Sequence, residues 1–178
     1  MCEYCGCQNI AAIRELTLEH DAVVNEIGDV TRQLRDGHTT AAVEACRRIS
    51  RILLPHTAVE EQGLFPAMAV EFPDQVEVLH QEHRAIEAVL AECDDGVPAD
   101  PGWPDRVIRT LDLLRTHILK EQDGVFPATL SVLDNDDWTL VDDVRARVGS
   151  GLEHRPPETQ FSVRPGPPHT ALHRLPQS

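Results

Sequence analysis

Residues 56–66 read HTAVEEQGLFP and residues 117–127 read HILKEQDGVFP. Each phrase opens on a His, places a Glu four residues later and closes on Phe-Pro. The offset is constant: 117 − 56, 121 − 60 and 127 − 66 all equal 61. On a helix, residues i and i+4 lie one turn apart on the same face. His56 and Glu60 then point the same way, as do His117 and Glu121, and two such pairs could hold a cation between them. A second repeat, LEHDAV at 18–23 and QEHRAI at 81–86, adds His20 and His83, with 83 − 20 = 63.

Four amphipathic segments must position these groups. Segment 9–36 carries Ile13, Leu16, Val24, Ile27, Val30 and Leu34 at helical spacing and stops at the Asp-Gly of 36–37. Segment 39–65 carries Val43, Cys46, Ile49, Leu53 and Leu64, with a kink expected at Pro55. Pro66 and Pro73 are read as bounding a connection. Segment 74–94 carries Val76, Leu79, Ile86, Leu90 and Cys93, and DDGVPADPGWP at 94–104 reads as a loop. Segment 105–123 carries Val107, Leu111, Leu114 and Ile118, ending or bending at Pro127. No convincing strand is visible.

Short connections favour antiparallel neighbours, so the expected fold is all-α, an up-down antiparallel four-helix bundle. The expected divisions are a Cys-rich head at 1–8, the bundle at 9–130, a short accessory helix at 131–149 and a mobile tail at 150–178. The tail holds six prolines and little periodicity. His38 in the first turn and His154, His169 and His173 in the tail fall outside the pattern.

Polar residues sit on the apolar rows. The row 13, 16, 20, 24, 27 includes His20. The row 46, 49, 53, 56, 60, 64 includes His56 and Glu60. The row 76, 79, 83, 86, 90 includes His83, and the row 107, 110, 114, 117, 121, 125 includes His117 and Glu121. A single inward His is more often a hydrogen-bonded core residue than a ligand. Two inward carboxylates are different, because each costs several kcal/mol at least if buried unpaired. No Lys or Arg stands beside them on those rows. A metal pair would neutralise both, and a mixed His and Glu set in a helical bundle favours iron. The two similar helix pairs imply a pseudo-twofold site with a metal on either side of its axis, where Glu60 and Glu121 could bridge.

These phrases resemble the hemerythrin-like (HHE cation-binding) family over roughly residues 10–130. The resemblance implies a non-haem di-iron centre ligated by His20, His56, Glu60, His83, His117 and Glu121. Its cofactor would be two iron ions per chain joined by an oxo or hydroxo bridge. The chain departs from the oxygen-carrying members. Their extra His, four residues before the third-helix His, is Leu79 here, with His80 one place further on as an additional candidate ligand. Their Asp, five residues after the last His, is Gln122, with Asp123 next to it. Fewer His ligands leave more open iron positions, which turns the expectation from reversible oxygen carriage toward reaction with O2, H2O2 or NO. Two outcomes stay open: a peroxide- or NO-consuming oxidoreductase, or a non-enzymatic oxygen or redox sensor or iron donor for iron–sulfur repair. The Glu-x-x-His of other di-iron bundles occurs once, as EVLH at 77–80, and its second copy is absent.

The chain of 178 residues has a net charge of −14, which disfavours nucleic acid and anionic membranes as partners. Aromatics at 4% are too few for base-stacking platforms. No apolar run reaches membrane-spanning length and no signal-peptide layout opens the chain, so a cytoplasmic location is expected. The expected partners are small diatomic or peroxide ligands. The five cysteines are odd in number, so full pairing within the chain is excluded. Cys2, Cys5 and Cys7 form a head that could bind a soft metal or cycle through a disulfide. Cys46 and Cys93 lie on apolar stripes and are expected to be buried and inert.

Overall fold

The computed structural model describes residues 6–152, and every regular element among them is helical. A single 3-10 turn, Cys7–Asn9, precedes α1 (Ala11–Arg35). Then come α2 (Thr39–Val59), α3 (Phe65–Glu71), α4 (Pro73–Ala91), α5 (Trp103–Lys120), α6 (Phe126–Val132) and α7 (Asn135–Val148). Helix α1 packs along α2 and α4 along α5, while α2 meets α4 and α1 meets α5. No helix among the described residues is long and apolar enough to cross a membrane.

Local chemistry sets the helix ends. Gly37, at φ 76°, takes the left-handed conformation that closes α1, and His38 N–H reaches back to the Gln33 carbonyl at 2.8 Å. Pro73 and Pro104 stand in the first turns of α4 and α5, where a missing N–H costs nothing. Asp134 caps α7 by accepting from the Asp136 and Asp137 amides, and Asp137 returns the bond to the Asp134 amide.

Two five-residue π-helical turns interrupt the bundle, Glu60–Leu64 and Glu121–Val125. The Phe65 amide donates to the Glu60 carbonyl and the Phe126 amide to the Glu121 carbonyl, so each turn holds one residue more than an α-turn. Proline follows at once in both copies. Having no N–H, Pro66 and Pro127 make no claim on the carbonyls four residues back.

Apolar residues form two cores. One joins Ile27, Val30, Cys46, Ile49, Ile86, Leu90, Trp103 and Leu111. The other joins Cys7, Ile13, Leu16, Val59, Leu64, Phe65, Val76, Leu79, Phe126, Val141 and Val144. Each large side chain so buried contributes about 1.5–3 kcal/mol. The inward His and Glu form a polar layer that belongs to neither core. Along α1 and α4 the chain passes from the second core through the polar layer to the first; along α2 and α5 it passes the other way.

Several expectations need correction. Val24 is exposed and Val23 takes its place in the core, because both lie on the His20 side and packing against α2 selects the earlier one. The expected connection from Pro66 to Pro73 is helix α3, and the chain after Pro127 continues as α6, since proline is tolerated in a first turn. The loop after α4 ends at Gly102, with Trp103 fully buried as the first residue of α5. Helix α2 runs on through Pro55, and the regular ladder breaks at the π-turn instead.

Cys46 and Cys93 are buried as expected. Cys7 is buried too, at 1% exposure, so the head enters the core rather than standing apart; a Gln8 amide bond to Thr17 at 2.9 Å holds that stretch on α1. Cys2, Cys5 and residues 153–178, including the three tail histidines, lie outside the described residues. The start of the expected mobile tail is anchored, for Ser150 and Gly151 both pack on the bundle.

Candidate metal centre

Each helix of the bundle delivers one imidazole to the polar layer: His20 from α1, His56 from α2, His83 from α4 and His117 from α5. All four are buried, and Glu60 and Glu121 are wholly enclosed at 0% exposure. Both carboxylates stand on the first residue of a π-turn. The Nε2 atoms converge on them. His20 lies 3.2 Å from Glu121, His56 3.3 Å from Glu60 and His117 2.9 Å from Glu121. His83 sits between the two, 3.5 Å from Glu60 and 3.7 Å from Glu121. His83 and His117 approach at 2.9 Å.

The donor atoms fall into two clusters, each tight enough to surround one ion. One comprises His20, His56, Glu60 and Glu121; the other comprises His83, His117 and Glu121. Glu121 belongs to both. The four oxygens of Glu60 and Glu121 have no hydrogen-bond partner, nor has either nitrogen of His20. Orphaned carboxylate oxygens at zero exposure are costly by about 1–3 kcal/mol or more each unless something positive meets them. A divalent or trivalent cation fits that donor set and those open valences.

The electrostatics agree. Burial alone would push the His56 imidazolium pKa down, yet the Glu60 and Glu19 carboxylates outweigh it and hold it up at about 10. Burial acts likewise on His83, and Glu121, Glu60 and Glu61 bring it to about 9. Burial would raise Glu121, but His117, His20 and His83 pull it well below the carboxylate range. Without an ion, protons on the imidazoles stand in for positive charge.

A second ring of carboxylates holds the outer nitrogens. His56 Nδ1 meets Glu19 at 3.0 Å, His117 Nδ1 meets Glu82 at 2.9 Å and His83 Nδ1 meets Glu61 at 2.9 Å. Each bond fixes Nδ1 as the protonated nitrogen and turns the Nε2 lone pair inward. Sequence reasoning missed these residues, although the signal for two was in view. Glu19 and Glu82 precede His20 and His83 in the repeated phrases, with 82 − 19 = 63. Each supports the His of the next helix in its own half. Phe65 stacks on His83 at 5.7 Å and Phe126 on His20 at 5.6 Å, so the Phe-Pro of each half covers a ring of the other.

His80 stands outside both clusters. It is 26% exposed, its Nδ1 lies 3.0 Å from Glu61, and its ring edge meets Phe65. It braces Glu61, which in turn braces His83. Asp123 faces solvent and Gln122 is half-buried, so neither adds a carboxylate to the centre. Cys7 lies in the second apolar core, away from the polar layer. Beside the four imidazoles is a cavity of about 10 Å3, walled by Leu53, Ile86 and Leu114 and closed by Thr57 and Glu87. That is room for about one water-sized molecule.

The profile of the hemerythrin HHE cation binding domain matches residues 11–129. The chain belongs to this family. The hemerythrin match runs from the first residue of α1 into α6 and takes in all four imidazoles and both enclosed carboxylates. It also takes in Glu19, Glu61 and Glu82, but stops before α7. Neither a curated protein nor a solved structure matches the chain. What hemerythrin domains share is therefore the cation-binding helical bundle, and α7 is an addition seen in this chain's own geometry.

Proposed function

We propose that this chain is a non-haem di-iron protein that binds or reacts with O2, H2O2 or NO. The observation that carries the reading is the pair of enclosed, unpartnered carboxylates ringed by four imidazole Nε2 atoms. His20, His56, Glu60 and Glu121 would hold one ion, and His83, His117 and Glu121 the other, with Glu60 near enough to His83 to be shared. The ions would supply electrons and open positions for a small oxidant.

The chain's own residues do the rest. Glu19, Glu61 and Glu82 keep the imidazoles in one tautomer and aimed inward. Phe65 and Phe126 cover the rings and keep water away. The 10 Å3 cavity admits a molecule of two or three atoms and rejects anything larger. In this reading the four long helices form the up-down antiparallel bundle, supported by the alternating order in which they cross the two cores. Cytoplasmic residence and the absence of nucleic-acid or membrane partners belong to the same proposal, supported by the net charge of −14. Iron donation through the Cys head has less support, since Cys7 is enclosed.

Protein purified without air, after growth with ample iron, should carry about two irons per chain, measured by elemental analysis, and its absorption should change on adding H2O2 or NO. One zinc per chain with no iron would overturn the reading.

A further inference from the structure

Helix α7 is tied to the candidate centre by a buried polar chain. Arg145 Nη1 donates to Glu19 Oε1 and Nη2 to Glu19 Oε2, both at 2.9 Å. Ser150 Oγ donates to Glu19 Oε1 at 2.6 Å, and Arg145 Nη1 also reaches the Gly149 carbonyl at 2.8 Å. Arg145 Nε lies 3.5 Å from the Glu15 carboxylate. Glu19 Oε2 is the atom that holds His56 Nδ1. One fully buried carboxylate thus joins the end of α7 to an imidazole of the polar layer, and a bidentate guanidinium fixes its plane as a lysine could not.

Packing ties α7 to the same place. An ideal Cβ on Gly63, in the π-turn that carries Glu60, would lie 3.1 Å from Val141 Cα. One on Gly151 would lie 2.5 Å from the Arg51 carbonyl oxygen. Arg51 is four residues before Pro55, so its carbonyl is the one Pro55 cannot bond. The segment after α7 therefore lies against the backbone one turn ahead of His56.

We propose that Arg145 is a positioning residue for the metal centre, and that docking of α7 is thermodynamically coupled to loading of the His20–His56 side. The inference rests on the metal-binding reading above. Loading needs His56 held with Nε2 inward; Glu19 holds it; Arg145 and Ser150 hold Glu19. Coupling between sites is reciprocal, so an ion at the centre must in turn tighten α7. The chain would then carry its loading state outward to a helix that lies beyond the family match.

Hydrogen–deuterium exchange of residues 135–148 in the wild-type chain, metal-free and after anaerobic loading with ferrous iron, tests this without any substitution. Loading should slow exchange across α7. Ferrous titration against a competing chelator adds the second measurement. Arg145→Met should weaken iron binding by about 10–100-fold, the range for losing an outer partner of a ligand, and Arg145→Lys should fall between Met and wild type. The effect of iron on α7 exchange should vanish in Arg145→Met. Iron bound normally by wild type with unchanged α7 exchange would overturn the coupling alone, as would wild-type affinity in Arg145→Met. Failure of the wild-type chain to bind iron would overturn the metal-binding reading, and this inference with it.

Discussion

Gly63 and Gly124 occupy the same place in the two repeated phrases, yet their surroundings differ. A Cβ on Gly63 would press on Val141 of α7, whereas one on Gly124 would meet nothing within 4 Å. The contrast extends along the surface. Val141 and Val144 share a core with Ala12, Ile13, Leu16, Val59 and Leu64. The counterparts of those five, by the offsets of 63 and 61, are Gln75, Val76, Leu79, Lys120 and Val125. All five line an open groove of about 610 Å3, together with Gly124. Deeper in, Glu19 is fully enclosed under Arg145, while Glu82 is 13% exposed and paired with Lys120, itself 43% exposed. Duplication wrote the inner donors twice. The outer supports diverged because α7 occurs once and covers only one half. Ligand identity is thus a property of the repeat, and ligand rigidity a property of what is packed behind it.

The largest expected effect tests where the halves meet. Glu121 belongs to both donor clusters and Glu60 to one. Glu121→Ala should lose nearly all iron, and Glu60→Ala about one ion of two, read as iron per chain by elemental analysis. Equal losses would mean that the two carboxylates are equivalent after all.

A smaller contrast separates His83 from His80. His83→Ala removes an enclosed donor and should lose iron from its half. His80→Ala removes only a brace on Glu61 and should cost about tenfold in affinity, an outer-partner effect. Chelator competition on the two variants decides it, and the reverse order would put His80 in the centre.

The smallest effect concerns the glycines. Gly63→Val drives a side chain into Val141 and should destabilise the metal-free protein by about 1–3 kcal/mol, the usual cost of overpacking. Gly124→Ala has open space and should be neutral or stabilising by up to about 1 kcal/mol. Urea midpoints compare them, and similar losses at both positions would remove the asymmetry.

The inward rows were legible where the helical period runs unbroken. Cys46, Ile49, Leu53, His56 and Glu60 are all buried, as are Val76, Leu79, His83, Ile86 and Leu90. The reading failed one residue past each Glu. Val125 was expected inward, but it is half-buried and Phe126 is enclosed, because the π-turn adds a residue that an α-period cannot count. The matching Gly63 and Gly124, each with a Pro three residues on, were the available hint. Glu19 and Glu82 went unread for another reason. A residue next to an inward His faces sideways on its own helix, and only the neighbouring helix gives it a partner. Arg145 lies 126 residues from Glu19, and no local pattern joins them.

The π-turns also change what a length mutation means. At a surface loop, removing one residue shortens a connection. Removing Gln62 would instead let the turn close as an ordinary α-turn and swing everything after it by about 100° around the axis. Phe65 would leave the face of His83, and Leu64 would leave the core. The corresponding loss of Asp123 would carry Phe126 off His20. At these two points the chain's length acts as an angular setting, and an alignment gap placed there by eye would be a rotated helix in the molecule.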